Sequence, residues 1–384
     1  MSAPALRLAR LTLSQFRSYP GLTWRPAGRI AVLHGGNGSG KTNLLEAISL
    51  LVPGRGLRGA KVADLPRHGS GEGWAVAGRF ATPQGEIDVG TGSPPDGPPD
   101  RRVFRLDGQA PRSQSEIAAH VSAVWLTPQM DRLFQEGASG RRRFLDRLVY
   151  ALEPGHAREV AAHDTAMAQR NRLLAAGRAD PAWLAALEDT MARHAVAATA
   201  ARAGLVARLN AALASGAADP FPAARLSLSC QIAERLAAGT ALDAEDWLRC
   251  ALAQSRPRDA AAGSAGLGAH RADMGLADAT TGLGAAQAST GQQKSLLIGV
   301  VLGHAALLAA ARGFAPLLLL DEPAVHLDAS RRTALFAALL RLPAQAFLTG
   351  TDADTFAPLR GHAEGMAVAD GGLLPDERFP LPSA

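Results

Sequence analysis

The sequence predicts an α/β fold: a phosphate-loop domain assembled from both ends of the chain, with a mainly helical domain inserted between. Three observations carry this. A strand, a glycine-rich loop and a helix follow one another from Ile30 to Ile48. An apolar run ending in two acids, Pro316-Leu-Leu-Leu-Leu-Asp321-Glu322-Pro323, lies nearly the whole chain away and has the look of a buried parallel strand. Between them, from about Gly140 to Gly216, the composition turns to Ala, Leu and Arg, which suits three or four long helices. The expected division is 1–130 for the first part of the head, 131–262 for the helical arm and 263–384 for the second part of the head.

The elements follow in order. Leu6 to Leu13 alternates like a half-buried strand, and from Lys41 onward Leu44, Leu45, Ile48 and Leu51 share one helical side. Trp74 to Phe80, Glu86 to Val89 and Arg102 to Leu106 form a β-rich stretch, with Thr91 to Asp100 as an exposed Gly/Pro/Asp loop. Val124 to Thr127 is a further buried strand, Pro154 and Pro181 punctuate the helices, and Arg225 to Ser229 suits a strand. Leu242 to Ala253 is expected to be helical, and Ala260 to Gly268 a flexible return. Leu296 to Leu320 is interrupted by His304, Arg312 and Pro316, so it predicts a buried helix and strand, not a membrane span.

At 384 residues with 47 % hydrophobic content, the chain can bury a sizeable core, and wholesale disorder is excluded. A net charge of +5 permits contact with nucleic acid without requiring it. Cys230 and Cys250 make neither a metal-ligand pattern nor a disulfide framework, and Arg7 and Arg10 break the N-terminal apolar stretch. Both features point to the cytoplasm. Lysine occurs only at Lys41, Lys61 and Lys294. A chain that otherwise uses the guanidinium fork keeps a compact ammonium where the chemistry needs one.

Gly35-Gly36-Asn37-Gly38-Ser39-Gly40-Lys41-Thr42 fills the pattern G-x-x-x-x-G-K-[ST] between a strand and a helix. The glycines let backbone N–H groups curl around phosphate oxygens, and the helix N-terminus adds a favourable dipole. Lys41 is expected at the β- and γ-phosphates of ATP, and Thr42 on Mg²⁺. Asp321 would also hold Mg²⁺, and Glu322 would polarise the attacking water.

Ser289-Thr-Gly291-Gln292-Gln-Lys294 precedes a long apolar helix shortly before the acidic strand, and resembles the signature motif of ABC-type ATPases. In that class the signature caps the γ-phosphate held by a partner subunit, so Ser289, Gly291, Gln292 and Lys294 are candidate nucleotide contacts in a shared site. Ala324-Val-His-Leu-Asp328 resembles the D-loop. Gln129 falls where such ATPases place a glutamine sensing the γ-phosphate and metal; a solvated loop glutamine is the alternative. Where transporters carry a switch histidine stand Thr349-Gly-Thr351-Asp352.

Further stretches bring the chain close to one family. Phe16-Arg-Ser-Tyr19, Asn37 to Ile48 (with Asn43 and Glu46), Pro53-Gly-Arg55-Gly-Leu-Arg58, Gly140-Arg-Arg-Arg-Phe-Leu-Asp146-Arg and His270-Arg271-Ala-Asp273 resemble the RecF family. These are ABC-type ATPase heads related to the chromosome-maintenance and Rad50 heads. The resemblance implies a head that dimerises on ATP, binds DNA, hydrolyses ATP slowly with stimulation by DNA, and acts with RecO and RecR to help load recombinase at gaps. Family members often have Pro-Glu-Asp where this chain has Pro128-Gln129-Met130-Asp131, and many carry Asp in place of Glu322.

Arg55 and Arg58, in a Gly-rich loop, and Arg141, Arg142 and Arg143, at a helix start, are the candidates for DNA phosphate contact. Ion pairs or a solvated basic face are the alternative for each. At 5 % aromatic content a stacking platform for single strands is disfavoured and backbone-directed duplex binding fits better; gap junctions as DNA targets are what the RecF resemblance implies. A transporter subunit fits poorly without the switch histidine, and no membrane partner is expected. Asp352 and Asp354 only superficially offer the paired carboxylates of a nuclease.

Overall fold

The computed structural model describes residues 6–69, 73–94, 101–177 and 180–380, which fall into two compact units. The first takes Met1–Asp131, Gly216–Ala223 and Ser289–Ala384; the second takes Arg132–Ser215 and Ala224–Ala288.

The first unit opens with β1 (Arg7–Phe16) and β2 (Tyr19–Trp24), then β3 (Ile30–His34), α1 (Lys41–Leu50), β4 (Ala75–Thr82), β5 (Gly85–Gly92), β6 (Val103–Leu106), α2 (Gln114–His120) and β7 (Ala123–Leu126). Strands β2-β1-β4-β5-β6 form an antiparallel sheet in that order. β2 and α2 were not anticipated. The predicted loop also starts later than expected: Thr91 and Gly92 complete β5, and 95–100 lie outside the described residues.

The second unit follows with α3 (Ala138–Leu152), α4 (His156–Ala175), α5 (Pro181–Ala214), β8 (Ala224–Ser229), α6 (Gln231–Ala238), α7 (Ala241–Ala262) and β9 (Asp273–Asp278). Pro181 opens α5 at a position that needs no backbone donor, behind an Asp180 side chain that accepts from Ala182 N at 2.8 Å. α7 runs through Pro257 to Ala262 and stops at Gly263 (φ 68°), so Ala260–Ala262 are helical where a flexible return was expected. Arg170, fully buried on α4, joins three helices. It donates to Glu188 Oε1 on α5 at 2.9 Å and to Asp259 Oδ2 on α7 at 2.8 Å. The arm boundary expected at residue 262 shifts to Ala288, because β9 pairs antiparallel with β8 and stays in this unit.

The chain re-enters the first unit with α8 (Thr290–Arg312), β10 (Leu317–Leu320), α9 (Ala329–Arg341), β11 (Ala346–Gly350), β12 (Glu364–Ala369) and β13 (Gly372–Pro375). The central sheet has the order β13-β12-β3-β11-β10-β7. All neighbours run parallel except the β12–β13 edge. Its middle strands are apolar throughout, and Ile30 to Leu33 and Leu317 to Leu320 are buried on both faces. α8 is long and apolar enough to cross a membrane, yet Leu296 to Leu302 are buried in the fold, as a core helix requires.

Candidate phosphate-loop site

In an open α/β sheet, ligands bind beyond the carboxyl ends of the strands. Here those ends gather the loop after β3, the acids after β10, Thr349 on β11 and the turn after β7. The register aligns Leu320 with Leu348 and Leu126, so the residues that follow lie side by side.

The loop after β3 depends on its glycines. Gly35, Gly38 and Gly40 have φ of 149°, 81° and 109°. A Cβ on Gly40 would fall 2.8 Å from Tyr19 Oη, and one on Gly35 2.6 Å from Val368 O. Gly40 is the N-cap of α1 and offers no side-chain cap, leaving the first-turn amides available for an anion. Lys41 is buried and folds back on the loop, donating to Gly35 O and Gly36 O, both at 2.8 Å. Burial holds its ammonium below the usual lysine range, against the opposing pull of Glu322 and Asp321. Ser39 Oγ is buried without a partner. A cation resting on carbonyls, free helix amides and an orphaned hydroxyl fit phosphate oxygens.

Thr42 Oγ1 donates to Asp321 Oδ1 at 2.9 Å, and Thr349 Oγ1 donates to the same oxygen at 2.7 Å. Thr349 Oγ1 in turn accepts from Glu322 N at 2.9 Å. The hydroxyl and carboxylate of Thr42 and Asp321 are the hard oxygen donors that Mg²⁺ takes alongside phosphate and water. Among the described residues no group of three or more His, Cys, Asp or Glu forms a metal cage. A cavity of about 280 Å³ opens over this cluster, lined by Asn37, Gly38, Gly40, Lys41, Thr42, Asn43, Arg58 and Glu322. Glu322 sits at φ 48°, a left-handed conformation that costs a non-glycine residue about 1–2 kcal/mol.

Other predicted residues are placed differently. Gln129 is exposed on the turn after β7, makes none of the hydrogen bonds to Thr42 or Asp321, and does not line the cavity. Ser289 caps α8: its Oγ accepts from Gln292 N at 3.4 Å, while Gln292 Oε1 accepts from Ser289 N at 2.9 Å. A Cβ on Gly291 would fall 2.9 Å from His326 O, so the signature lies directly on the Ala324–Asp328 segment. None of Ser289, Gly291 and Gln292 lines this chain's own cavity. Lys294 departs from its expected role as a nucleotide contact. It is buried and donates inward to Asp131 Oδ2 at 3.3 Å and Glu322 O at 3.0 Å. Asp328 caps α9, accepting from Arg331 N at 2.8 Å.

The five candidate DNA arginines divide. Arg58 belongs to the cavity: its Nη1 donates to Asn43 Oδ1 at 2.7 Å and to Glu46 Oε2 at 3.1 Å. Arg141 grips Asp273 through two bonds of 2.8 Å, and Arg142 donates to Ala272 O at 2.9 Å. Both are therefore committed to the arm's own fold. Arg55 and Arg143 stay exposed. Asp352 and Asp354 serve a local turn, with Asp354 N donating to Asp352 Oδ1 at 2.9 Å.

The structure also explains Phe16-Arg-Ser-Tyr19. Tyr19 Oη donates to Gly40 O at 3.1 Å, Ser18 Oγ accepts from Asn43 Nδ2 at 2.9 Å, and Arg17 grips Glu46 at 2.9 and 2.8 Å. Three consecutive residues thus brace the loop and the first two turns of α1. Neither this brace nor Thr349 was assigned a role from sequence. The spacing Gly40, Asn43, Glu46, one helical side, was the available signal.

The chain matches the family model RecF/RecN/SMC N terminal domain over residues 7–364. It is 47 % identical over 373 residues to the DNA replication and repair protein RecF of Mesorhizobium japonicum, covering 96 % of this chain and 98 % of that one. The protein of the same name from Agrobacterium fabrum is 45 % identical over 375 residues, covering 97 % and 100 %. Among solved structures, the recombination mediator protein RecF-ATPrS of the RecFOR pathway superposes with a TM-score of 0.82 at 21 % identity, over 98 % of this chain and 100 % of that one. The Smc head domain with an extended coiled coil from Pyrococcus furiosus gives a TM-score of 0.53 at 16 % identity, over 97 % and 96 %.

Proposed function

Because this chain belongs to the RecF/RecN/SMC family, and within it to the RecF proteins of DNA replication and repair, we propose that it is an ATP-operated DNA clamp of recombinational gap repair. The observation that carries this reading is the chain Thr42–Asp321–Thr349–Glu322 at the mouth of the phosphate-loop cavity. It supports the reading because oxygen donors suited to Mg²⁺ and a carboxylate suited to a general base stand beside a loop suited to phosphate.

In this reading Lys41 exchanges its two loop carbonyls for the β- and γ-phosphate oxygens of ATP, with the α1 amides holding the rest. Thr42 and Asp321 would hold Mg²⁺, which would supply charge neutralisation at the transferred phosphate. Glu322 accepts the proton of the attacking water, and Thr349 fixes the backbone from which it projects. Ser289 and the Gly291 amide, absent from this chain's own cavity, cap the γ-phosphate of a second copy. Gln129 then senses the γ-phosphate and metal only in that closed pair. ATP acts as a clasp: binding closes a homodimer on DNA, and slow hydrolysis, stimulated by DNA, reopens it. RecR and RecO are the partners for recombinase loading at gapped DNA.

Glu322→Gln tests the clamp. The variant should bind ATP, hydrolyse it at least about a hundredfold more slowly, and elute as a dimer with raised affinity for duplex DNA. A strictly monomeric variant in ATP and DNA, with DNA affinity indifferent to nucleotide, would defeat the proposal.

A further inference from the structure

Lys294 is one of three lysines in the chain, and it lies on the core-facing side of α8. Its ammonium is almost wholly buried, which is costly unless every donor is used. One donor goes to Asp131 Oδ2 at 3.3 Å, on the turn that carries Gln129. Another goes to Glu322 O at 3.0 Å. That carbonyl belongs to the peptide bond before Pro323, and Val325 N reaches it only at 3.3 Å. On the other side of the same residue, Glu322 N is held by Thr349.

Glu322 has a left-handed backbone that its own side chain does not favour, so its surroundings must impose the conformation. Thr349 supplies one hold from β11, and Lys294 supplies the other from the helix that begins at the Ser289 signature. We propose that Lys294 is a positioning residue for the general base: it sets the aim of the Glu322 carboxylate and makes that aim depend on how α8 is seated. A compact ammonium directs donors at both a carboxylate and a carbonyl from a single nitrogen. The inference rests on Glu322 acting as base.

The test separates positioning from mere ion pairing. Lys294→Met should lower kcat for ATP about tenfold or more, while KM and the Kd for a fluorescent ATP analogue stay within about threefold. In Lys294→Met/Asp131→Asn no carboxylate is left without its cation, so thermal stability should recover while kcat stays low. If Lys294→Met does not fold, the double variant carries the same readout. Turnover within about twofold of the parent in Lys294→Met, or kcat restored in the double variant, overturns the proposal. Glu322→Gln, measured alongside, keeps the two readings apart. If it is inactive while Lys294→Met is fully active, only the positioning role fails; if it turns over normally, the base assignment itself fails.

Discussion

The Thr349 hydroxyl has no exposure, and both of its hydrogen-bonding functions are committed: it donates to Asp321 and accepts from Glu322 N. Thr349→Val keeps the shape and removes both bonds, leaving a buried amide unpaired and Asp321 with Thr42 alone. Losing such bonds costs about 1–3 kcal/mol, a range that corresponds to a fall in kcat of about 5- to 150-fold. The Mg²⁺ concentration for half-maximal turnover should rise, because Asp321 is less firmly aimed. ATPase titrations with Mg²⁺ on Thr349→Val and Thr349→Ser decide this. Serine should retain most activity, and a valine variant with parental turnover and Mg²⁺ dependence would reduce Thr349 to packing. At this scale the sequence disclosed what is local. Gly35 to Thr42 is a contiguous pattern, and Asp321-Glu322 ends an apolar run. Thr349 and Lys294 were opaque because their partners come from register, Leu320 beside Leu348, and from the Glu322 carbonyl 28 positions away. Arg58 seemed to be a loop cation for DNA until α1 brought Asn43 and Glu46 under it.

Elements were legible where periodicity and punctuation agreed, as in α1 behind its glycine loop and α5 behind Asp180-Pro181. They were missed where pairing, not propensity, makes the structure. β2 is a short strand with Pro20 and Gly21, held by its antiparallel register on β1. α7 runs past the expected end at Ala253 and through Pro257 to Ala262, with Arg170 and Asp259 tying its last turns to α4. The segment after α7 carries a pH signature. Burial lowers the His270 imidazole to about 4 from 6.5, reinforced by the positive fields of His163, Arg271 and Arg142 and only partly opposed by the bond to Ala265 O. His163 stacks on the ring at 5.5 Å. The unfolded chain therefore binds a proton that the folded arm excludes. The His270 contribution is complete above about pH 6.5 and is lost as the pH falls towards about 4, on the order of 1–3 kcal/mol. Thermal melts at pH 7.5 and 5.0 should show a steeper acid loss for the parent than for His270→Gln. Identical acid losses in the two would remove His270 as the cause.

For the whole molecule, 40 basic against 35 acidic side chains give only a mild positive balance, so DNA affinity must come from where the free cations lie. Much of the arginine is spent internally. Within the arm, Arg141 and Arg142 bond to Asp273 and Ala272, Arg170 and Arg202 are buried, and in the first unit Arg17 and Arg58 share Glu46. Arg55 and Arg143 are exposed, and in the proposed clamp each is expected to meet a backbone phosphate. Phosphate contacts release counterions, so removing one should flatten the slope of log affinity against log salt by about one, equally for unrelated sequences. Arg55→Ala and Arg143→Ala, measured by anisotropy on two unrelated duplexes over a salt series with ATP, should each do this without moving the melting temperature. Arg141→Ala should do the reverse. It breaks a bidentate pair and lowers the melting temperature, while the salt slope of the protein that remains folded is unchanged. If Arg141→Ala alone flattened the slope, the arm's ion pair would open on DNA, and the division of arginines between fold and phosphate would have to be redrawn.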